Sequence, residues 1–325
     1  MPSIMRILVR LIIIGILVVV GMTLYVYTQA QATIQTQELY FEVEEGSSLA
    51  ILSPRLQELF DVNENIIKGV FYLQGIENDI KAGTYFLDGD ISLIDLSKRL
   101  AQSDFDVPEV RVTIVEGIPT YKVAEVVAEK LPNVEAEAFK AYVNERELEG
   151  YLYPDTYNFA ERATVEDVIE KMQDNFDKKL SSIQSTIDSS PYEFADIITM
   201  ASLIEGEAGN ADLETRRKVS GVLWNRVRLG MPIQADAVFP FIFQEDLSRV
   251  LFRHLEVDSP YNIYKNIGLP PGPINHPSIV SIEAAANPSE TSDLFYLTGF
   301  DGNFYYARTN AGHERNRRAY LNYRN

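Results

Sequence analysis

Residues 193–209 read EFADIITMASLIEGEAG, and this stretch is the most informative segment of the chain for both fold and chemistry. At 100° per residue, a helix here places Phe194, Ile198, Ala201 and Glu205 on one face. Glu207 then points to the opposite side. The pattern therefore predicts an amphipathic helix that carries an acidic side chain, Glu205, on its apolar face.

A carboxylate on the buried face of a helix needs a compensating interaction. Burial of the charge is costly unless a cation pairs with it or the group stays protonated. A carboxyl that stays protonated at neutral pH is what a general acid requires. The structural alternative is an ion pair to the following helix, for which Arg216, Arg217 or Arg226 are available. The sequence leaves both interpretations open.

The composition argues against several classes of site. The 325 residues are enough for two or three domains, and a formal charge of −18 argues against nucleic-acid binding. With no cysteine and three scattered histidines, the chain offers no thiolate site and no usual zinc site. The phosphate-binding patterns GxxxxGK(S/T) and GxGxxG are missing from the sequence. We therefore expect no metal and no organic cofactor, and chemistry carried by carboxylates and hydroxyls.

The N-terminal segment predicts a membrane anchor. Leu11–Tyr27 is a run of seventeen uncharged residues, which as a helix spans about 26 Å, against a bilayer core of roughly 30 Å. Arg6 and Arg10 precede the run and no Lys or Arg follows before Arg55, which favours a cytoplasmic N-terminus. The alternative is a cleaved signal peptide, because residues 30–32 (AQA) have the small-x-small form of a cleavage site.

The next seventy residues or so predict a small module of order β-α-α-β-α. Hydrophobic and polar residues alternate over 39–43, as in a strand with one buried face. Ser92 followed by Asp95 has the spacing of a capping box and begins a helix. The expected elements are a strand ending at 45–46, helices at 48–60 and 63–74, a strand at 83–87 closed by 88–89, and a helix at 92–102.

Three segments are expected from these features. A polar stretch rich in Gln, Thr and Ala at 28–36 is typical of a linker, and 104–108 is typical of a boundary. The expected segments are 1–36 for the cytoplasmic N-terminus, anchor and linker, 37–107 for the small module and 108–325 for a larger α+β domain.

The larger segment begins with a strand and continues mainly as helices. Val110, Val112 and Ile114 share one face of the strand, and helices are expected at 120–131, 134–145, 165–180 and 213–229. Between two of these helices, residues 149–159 contain four aromatic side chains and a proline, so they do not form a helix. They form either a packed loop or a surface on which sugars stack.

Two later segments present polar side chains that could hold a polysaccharide. The loop at 230–237 carries Gln234 and Asp236. Tyr261 and Asn262 precede a turn rich in proline and glycine at 268–273. A loop amide near a buried acid, with an aromatic ring and a second amide, is typical of a cleft that binds glycan.

Six motifs follow one another along the second half of the chain. They are MASLIEGE (200–207), NR (225–226), GMPIQAD (230–236), YNIY (261–264), GLPPGPI (268–274) and NP (287–288). Together with VTIVEG at 112–117 and EGYLYPDTY at 149–157, they resemble the endolytic murein transglycosylase (YceG-like) family. The resemblance covers nearly the whole chain.

The resemblance implies a fold and a set of site residues. The small module is similar to the family's LysM-like subdomain, and the rest of the chain to its mixed α+β catalytic domain. Glu205 matches the catalytic glutamate of the family. Gln234 matches the loop glutamine and Tyr261-Asn262 the Tyr-Asn pair, and with Asp236 they are the expected substrate-binding residues.

The chain departs from the family pattern at residue 206, in the loop at 235–238 and near the C-terminus. Gly206 replaces a usual Lys or Arg, Ala235 a common Thr, and Ala237-Val238 the usual Pro-Thr. Near the C-terminus, residues 312–314 (GHE) stand where the family has EHN. These departures bear on the roles of residues 235–238 more than on the role of Glu205.

The resemblance also implies a reaction and a location. The family cleaves the β-1,4 bond between N-acetylmuramic acid and N-acetylglucosamine of nascent peptidoglycan without hydrolysis, and leaves a 1,6-anhydro end. Hydrolytic glycosidases use two carboxylates. Here the 6-hydroxyl of the muramic residue is itself the nucleophile, so one glutamate is enough, first as acid and then as base. The implied partners are glycan strands, the cell membrane through a single-pass helix, and peptidoglycan synthases.

Two alternative functions remain open at this point. A hydrolytic muramidase would need a second carboxylate, for which Asp236 is the only candidate on the loop. A non-catalytic cell-wall-binding adaptor would need no active glutamate. The products distinguish the three functions: a transglycosylase leaves anhydro ends, a muramidase leaves reducing ends, and an adaptor gives no product.

Overall fold

The computed structural model describes residues 2–247 and 249–321 and has the expected mixed α+β architecture. Met1, Ser248 and residues 322–325, which include the outer ends of the expected first and third segments, lie outside the described residues. The chain divides into two compact units, one ending at Pro108 and the other beginning at Glu109. The first comprises α1 (Pro2–Ala30), β1 (Thr33–Val43), α2 (Leu49–Phe60), α3 (Glu64–Gln74), β2 (Gly83–Ser92) and α4 (Leu93–Gln102).

The core of the first unit lies between one strand pair and three helices. β1 and β2 are antiparallel, with Thr33 opposite Ser92 and Val43 opposite Gly83. The Ser92 hydroxyl accepts the backbone N–H of Asp95, so the capping residue predicted for α4 is confirmed. The buried side chains between the strands and the helices include Leu52, Leu56, Ile67, Phe71, Tyr85, Leu87, Leu96 and Leu100.

The elements of the first unit occur in the predicted order, but both strands are longer than expected. β1 begins at Thr33, so residues 31–32 alone separate it from α1, and the linker expected at 28–36 is wrong. β2 continues through Gly89 to Ser92 because Gly89, at φ +81°, pairs with Thr36 at the register shift of β1. A positive φ costs glycine little, so the strand passes the point where the sequence indicated a turn.

The second unit is mainly helical. It comprises β3 (Glu109–Thr113), α5 (Thr120–Lys130), α6 (Ala136–Glu145), β4 (Thr156–Ala160), α7 (Val165–Leu180), a 3-10 turn (Ser181–Ile183), α8 (Gln184–Asp188), α9 (Phe194–Ala208), α10 (Leu213–Arg228), α11 (Val238–Phe243), α12 (Phe252–Leu255), α13 (Ile279–Ala286), β5 (Phe295–Thr298), β6 (Phe304–Ala307) and α14 (Asn310–Tyr320). β3 pairs with β4 and β5 with β6, both antiparallel.

Helix α9 is the central element of the second unit. The predicted amphipathic pattern is only partly right, because every residue from Ile197 to Glu205 is buried, whereas Phe194 is 37% exposed. A helix that is apolar all round belongs in a core, and α10 and α13 pack against this one. On α10, Trp224 stacks on Tyr192 and donates its indole N–H to the carbonyl of Ala285 at 3.0 Å.

The aromatic segment at 149–159 is a packed loop leading into β4. Tyr153, Tyr157 and Phe159 are each no more than 5% exposed. The Tyr157 hydroxyl donates to the backbone carbonyl of Tyr153, which fixes the turn. The packing alternative is therefore the one that this structure supports for these three rings.

One helix of the described chain, over Arg10–Ala30, is long and apolar enough to cross a membrane by length and composition. Most of its apolar side chains are not covered by the rest of the protein. This is compatible with the expected anchor.

Two glycine-to-alanine substitutions in the first unit are expected to act in opposite directions. A Cβ on Gly83, at φ +144°, would lie 2.3 Å from the Phe105 ring, so Gly83→Ala should destabilise the unit by about 1–3 kcal/mol. Gly69, inside α3, has open space at its Cβ position, so Gly69→Ala should stabilise it by about 0.5–1 kcal/mol. Hydrogen exchange of amides in residues 33–102 measures both, and equal effects of the two substitutions would contradict the steric argument.

Candidate active site

Glu205 lies near the end of α9 and is 7% exposed. Its Oε2 accepts the backbone N–H of Ser278 at 3.0 Å and the Ser278 hydroxyl at 2.5 Å. Ser278 is the N-cap of α13, so the carboxylate lies at the positive end of that helix. The site therefore joins the end of one helix to the beginning of another.

Arg216 on α10 supplies the cation. Its Nη1 is 3.1 Å from Glu205 Oε2, and both side chains are almost fully buried. The same nitrogen donates to the hydroxyls of Ser278 at 2.7 Å and Ser281 at 2.9 Å, and Nε donates to the Ala211 carbonyl at 3.0 Å. Glu205 therefore has a cationic partner and three hydrogen-bond donors within the protein.

The structure distinguishes among the three arginines that the sequence offered. Arg217 pairs with Glu283 at 3.1 Å, and Arg226 donates to the backbone carbonyls of Ile233 and Leu294. Arg216 alone of the three makes an ion pair with Glu205 among the described contacts. The ion pair to the following helix that the sequence offered as a structural role for Glu205 is thus present. Glu205 nevertheless also borders a cleft.

A cleft of about 1130 Å³ borders Glu205. A Cβ on Gly117, which lies at φ +76° after β3, would be 3.2 Å from the Glu205 Cγ. Glu205 Oε1 lies 2.7 Å from the Cβ position of Gly209, which lines the same cleft. Two glycines thus flank the carboxyl. The cleft is lined by residues 113–117, 154–156, 205–212, 215, 298 and 302–304.

Further carboxyl groups line the cleft. Burial raises the pKa of Glu116, and the charge of nearby Glu205 raises it further. Because consecutive Cα atoms are 3.80 Å apart, the contact of Gly117 puts the Glu116 Cα within about 9 Å of the Glu205 Cγ. Asp155 also lines the cleft, held by Asn175 at 3.1 Å and Lys179 at 3.4 Å. Glu116 lies within the motif at 112–117, which by itself indicates no role for this carboxyl.

Glu207 is also part of the cleft wall, which corrects the expectation that it points away. Its Oε2 accepts the Tyr296 hydroxyl at 2.9 Å, and Ala237 N–H lies 3.4 Å from Oε1. Burial raises the pKa of Glu207. Helical periodicity places it on another face than Glu205, but β5 and the 230–237 loop cover that face.

The loop with Gln234 and Asp236 lies outside the cleft. Gln234 is exposed, at φ +56°, and donates its backbone N–H to the Ile263 carbonyl at 3.2 Å. Asp236 is exposed and accepts the Tyr264 hydroxyl. Of the described residues that line the cleft, none belongs to 230–237 or to 261–262.

The loop crosses α9 at Gly206. A Cβ on Gly206 would lie 2.4 Å from the Ala237 Cβ, so a larger side chain at 206 requires the loop to move. The two departures from the family pattern, Gly206 and Ala237, are therefore in direct contact. They form one local change in packing.

Asn262 holds the backbone of its own loop, and its role as a substrate contact stays a prediction. It is fully buried, and its amide nitrogen donates to the carbonyls of Leu255 at 3.0 Å and Val257 at 2.8 Å. Its oxygen accepts the Tyr264 N–H at 3.1 Å. Both ends of the amide are thus used within the loop.

Tyr261, the neighbour of Asn262, is partly exposed. Its ring packs on Phe241 with centroids 4.8 Å apart. Burial raises the pKa of its hydroxyl, and the charge of Glu149 adds to this. The structure therefore places Tyr261 near a second acidic group, Glu149, and not in the cleft of Glu205.

Glu149 belongs to a buried network that the sequence did not indicate. Its oxygens accept the Thr120 N–H at 3.1 and 3.3 Å, at the start of α5. His276 Nδ1 accepts the Gly150 N–H at 3.1 Å, and its Nε2 lies 3.1 Å from the Thr120 hydroxyl. Burial raises the pKa of Glu149 to about 7 and lowers that of His276 to about 3. His276 is therefore neutral, with its proton on Nε2.

The described residues, 2–247 and 249–321, contain no group of three or more His, Asp or Glu arranged to hold a metal ion. The expectation of no metal rests on the sequence.

The fold and the site together define an α+β protein whose second unit presents a buried, ion-paired glutamate at the edge of an acidic cleft. Residues 41–319 match the YceG-like family model, and the chain belongs to that family. It is 30% identical over 320 residues to the endolytic murein transglycosylase of Streptococcus pneumoniae serotype 2, covering 86% of this chain and 58% of the relative.

Two further proteins resemble the chain. The endolytic murein transglycosylase of Bacillus subtilis is 36% identical over 179 residues, which are 55% of this chain and 49% of that protein. A crystal structure of a yceG-like protein from Listeria monocytogenes has a TM-score of 0.56 at 25% identity, covering 86% of this chain and 99% of that chain. The chain spans about half the length of the curated relatives that it matches.

Removal of Arg216 is expected to destabilise the second unit strongly. Arg216→Met leaves a buried carboxylate without its cation, which typically costs about 3–5 kcal/mol. Adding Glu205→Gln should recover a large part of that loss, because the orphaned charge is then removed. The matched control Arg217→Met breaks a more exposed pair and should cost about 1 kcal/mol or less. Chemical denaturation of Arg216→Met, Glu205→Gln, their double variant and Arg217→Met measures this, and strictly additive effects would contradict the coupling.

The Glu149 network predicts a pH dependence of stability. The folded protein raises the pKa of Glu149 from 4.5 to about 7, so it favours the protonated form. This stabilisation is fully present below about pH 4.5 and is lost as the pH rises through about 7, by on the order of 3 kcal/mol. Glu149→Gln stays neutral, so the stability of the wild type relative to the variant should fall from pH 5 to pH 8. A constant difference between the two denaturation curves would contradict the assignment.

Proposed function

We propose that the protein is an endolytic lytic transglycosylase that acts on peptidoglycan. The observation that carries the proposal is Glu205, buried and ion-paired yet bordering a large cleft. The resemblance of its sequence motif to that of the family implies that it is the catalytic glutamate. The names of the relatives from Streptococcus pneumoniae and Bacillus subtilis support the activity. The substrate is the glycan strand, and the bond cleaved is the β-1,4 bond that follows N-acetylmuramic acid.

The proposed reaction needs two proton transfers, one from Glu205 and one to it. Glu205 gives a proton to the departing glycosidic oxygen while the bond from that oxygen to the anomeric carbon breaks. The resulting carboxylate then takes the proton of the muramic 6-hydroxyl as its oxygen closes on the same carbon. The product is a 1,6-anhydro end, and Glu205 recovers its proton.

The contacts of Glu205 distinguish its two carboxyl oxygens. Oε2 is engaged by Arg216 and Ser278, whereas Oε1 lies beside Gly209 at the cleft, so Oε1 is the oxygen that exchanges the proton. Glu116 lines the same cleft, and we assign it an auxiliary role beside Glu205.

The rest of the chain is proposed to position this site at the membrane. Residues 1–36 would contain the cytoplasmic N-terminus and the single-pass anchor, 37–107 a LysM-like subdomain and 108–325 the catalytic domain. This arrangement suits cleavage of nascent strands beside peptidoglycan synthases. Gln234, Tyr261 and Asp236 remain proposed glycan contacts away from the cleft, with Asn262 as the residue that fixes their loop.

Glu205→Gln is expected to abolish strand cleavage, and because it leaves the buried Arg216 without its anion, activity is compared at a temperature at which circular dichroism shows the variant folded. Glutamine keeps the shape of the side chain but cannot exchange the proton, and general acid–base catalysis contributes about 10²–10⁴-fold to rates. The control Asp236→Asn alters an exposed loop carboxylate and should at most weaken glycan positioning, by about 1–3 kcal/mol. The measurement is mass spectrometry of digested glycan strands. Full activity in folded Glu205→Gln would refute the role of Glu205.

A hydrolytic muramidase is the second candidate, and Glu116 is the observation that favours it. Two carboxyls stand about 5–9.5 Å apart in hydrolytic glycosidases. Glu116 lines the cleft with Glu205, so it replaces Asp236 as the candidate second carboxylate.

Glu116→Gln separates the two candidate reactions. In a transglycosylase, the variant should still form anhydro ends, with kcat lowered by about tenfold, which corresponds to about 1.4 kcal/mol. In a muramidase, the wild type should release reducing ends, heavier by one water, and the variant should be as inactive as Glu205→Gln. Reducing ends from the wild type would overturn the proposed lyase. No product from the wild type would instead point to the binding adaptor.

A further inference from the structure

The first unit contains an apolar groove of about 710 Å³ beside α1. One wall is the C-terminal half of α1, from Val19 to Ala30, and the other is formed by α3 and α4. Val70 and Leu73 of α3 and Ile94 of α4 face it. The lining is almost wholly apolar, which is unusual for a surface in water.

The position of the groove along α1 gives its depth relative to a bilayer. Nine of the seventeen uncharged residues Leu11–Tyr27 lie at or beyond Val19, so the groove runs beside the outer half of that run. Those residues rise about 13 Å along the helix axis, and a bilayer core is roughly 30 Å thick. If the run crosses the membrane, the opposite wall of the groove must lie at the depth of the outer leaflet.

The connection between α1 and β1 prevents the rest of the unit from moving away. Residues 31–32 alone join them, and the Leu93 N–H donates to the Ala32 carbonyl at 3.0 Å. Two extended residues reach at most about 7 Å. The strand pair and its helices are therefore held at the end of the span.

The end of α3 has the side chains of a lipid-facing surface. Leu73 is 82% exposed and its neighbour Tyr72 is 62% exposed. Tyrosine is enriched where a membrane meets water, and leucine prefers the acyl region. Lys98 lines the rim of the groove, and its long stem allows the ammonium to reach lipid phosphates. These features continue the exposed apolar surface of α1.

We propose that the face formed by Tyr72, Leu73, Ile94 and Lys98 is inserted into the outer leaflet of the membrane, with acyl chains filling the groove beside α1. The proposal rests on the anchor described under the proposed function. It makes the first unit a membrane-embedded base rather than a module free to move on a tether. The occupant is lipid, since the groove opens on the same apolar surface of α1 that the bilayer must cover.

Site-specific labelling tests the proposal directly, because the chain has no cysteine. The variants Leu73→Cys, Leu17→Cys and Ile51→Cys of the full chain are labelled with the fluorophore NBD and placed in phosphatidylcholine/phosphatidylglycerol nanodiscs. Leu17 reports on the anchor, and Ile51 is 59% exposed on α2 but does not line the groove. Quenching by lipids carrying a nitroxide on the acyl chain is the readout.

The expected result is loss of most fluorescence at positions 17 and 73, with little loss at 51. Quenching at 17 but not at 73 would overturn the inserted face and leave the anchor intact. A label at 73 that is shielded from iodide but not quenched by the nitroxide lipids would mean that protein covers the groove, which also overturns the proposal. No quenching at 17 would show that the anchor itself is wrong.

Discussion

The ion pair between Glu205 and Arg216 is the interaction on which the second unit depends. One carboxylate oxygen joins the end of α9, the body of α10 and the N-cap of α13, because Arg216 and Ser278 both donate to it. Both charges are buried, so neither can lose its partner without leaving an uncompensated group in the core. The Glu205 side chain is therefore both the link between three helices and the group proposed for the chemistry.

This double role also limits how Glu205 can act. In the proposed reaction Oε2 is held by structural partners, so Oε1, which lies beside Gly209 at the cleft, is the oxygen left for proton exchange. Glu116 lines the same cleft, and its neighbour Gly117 lies beside the Glu205 side chain, so two carboxyl groups share one cleft.

The sequence predicts local structure well where a signal is local, and less well where neighbours come from distant segments. Helix α7 begins where the sequence predicts because the Thr164 capping box lies within the segment itself. Glu207 lies in the cleft wall although helical periodicity points it away from Glu205, because its partner Tyr296 is contributed from β5, far along the chain. An amide in a loop has the same appearance in a sequence whether it binds glycan or backbone carbonyls, and the Asn262 amide binds carbonyls here. Periodicity predicts which way a side chain points from its helix, but not which distant segment packs against it.

The close approach of Gly206 and Ala237 links the loop at 230–237 to α9 beside the candidate site. The Cβ of Ala237 occupies the space that a side chain at 206 would need, so the absence of a Cβ on Gly206 and the short side chain at 237 are two parts of one contact. The contact lies one residue from Glu205 along α9, yet among the described contacts the hydrogen bonds of Glu205 go to α10 and α13, not to this loop. The loop instead reaches the cleft wall at Glu207, whose Oε1 lies 3.4 Å from the Ala237 N–H. A change of packing at 206 and 237 should therefore act on Glu207 more directly than on the pair of Glu205 and Arg216.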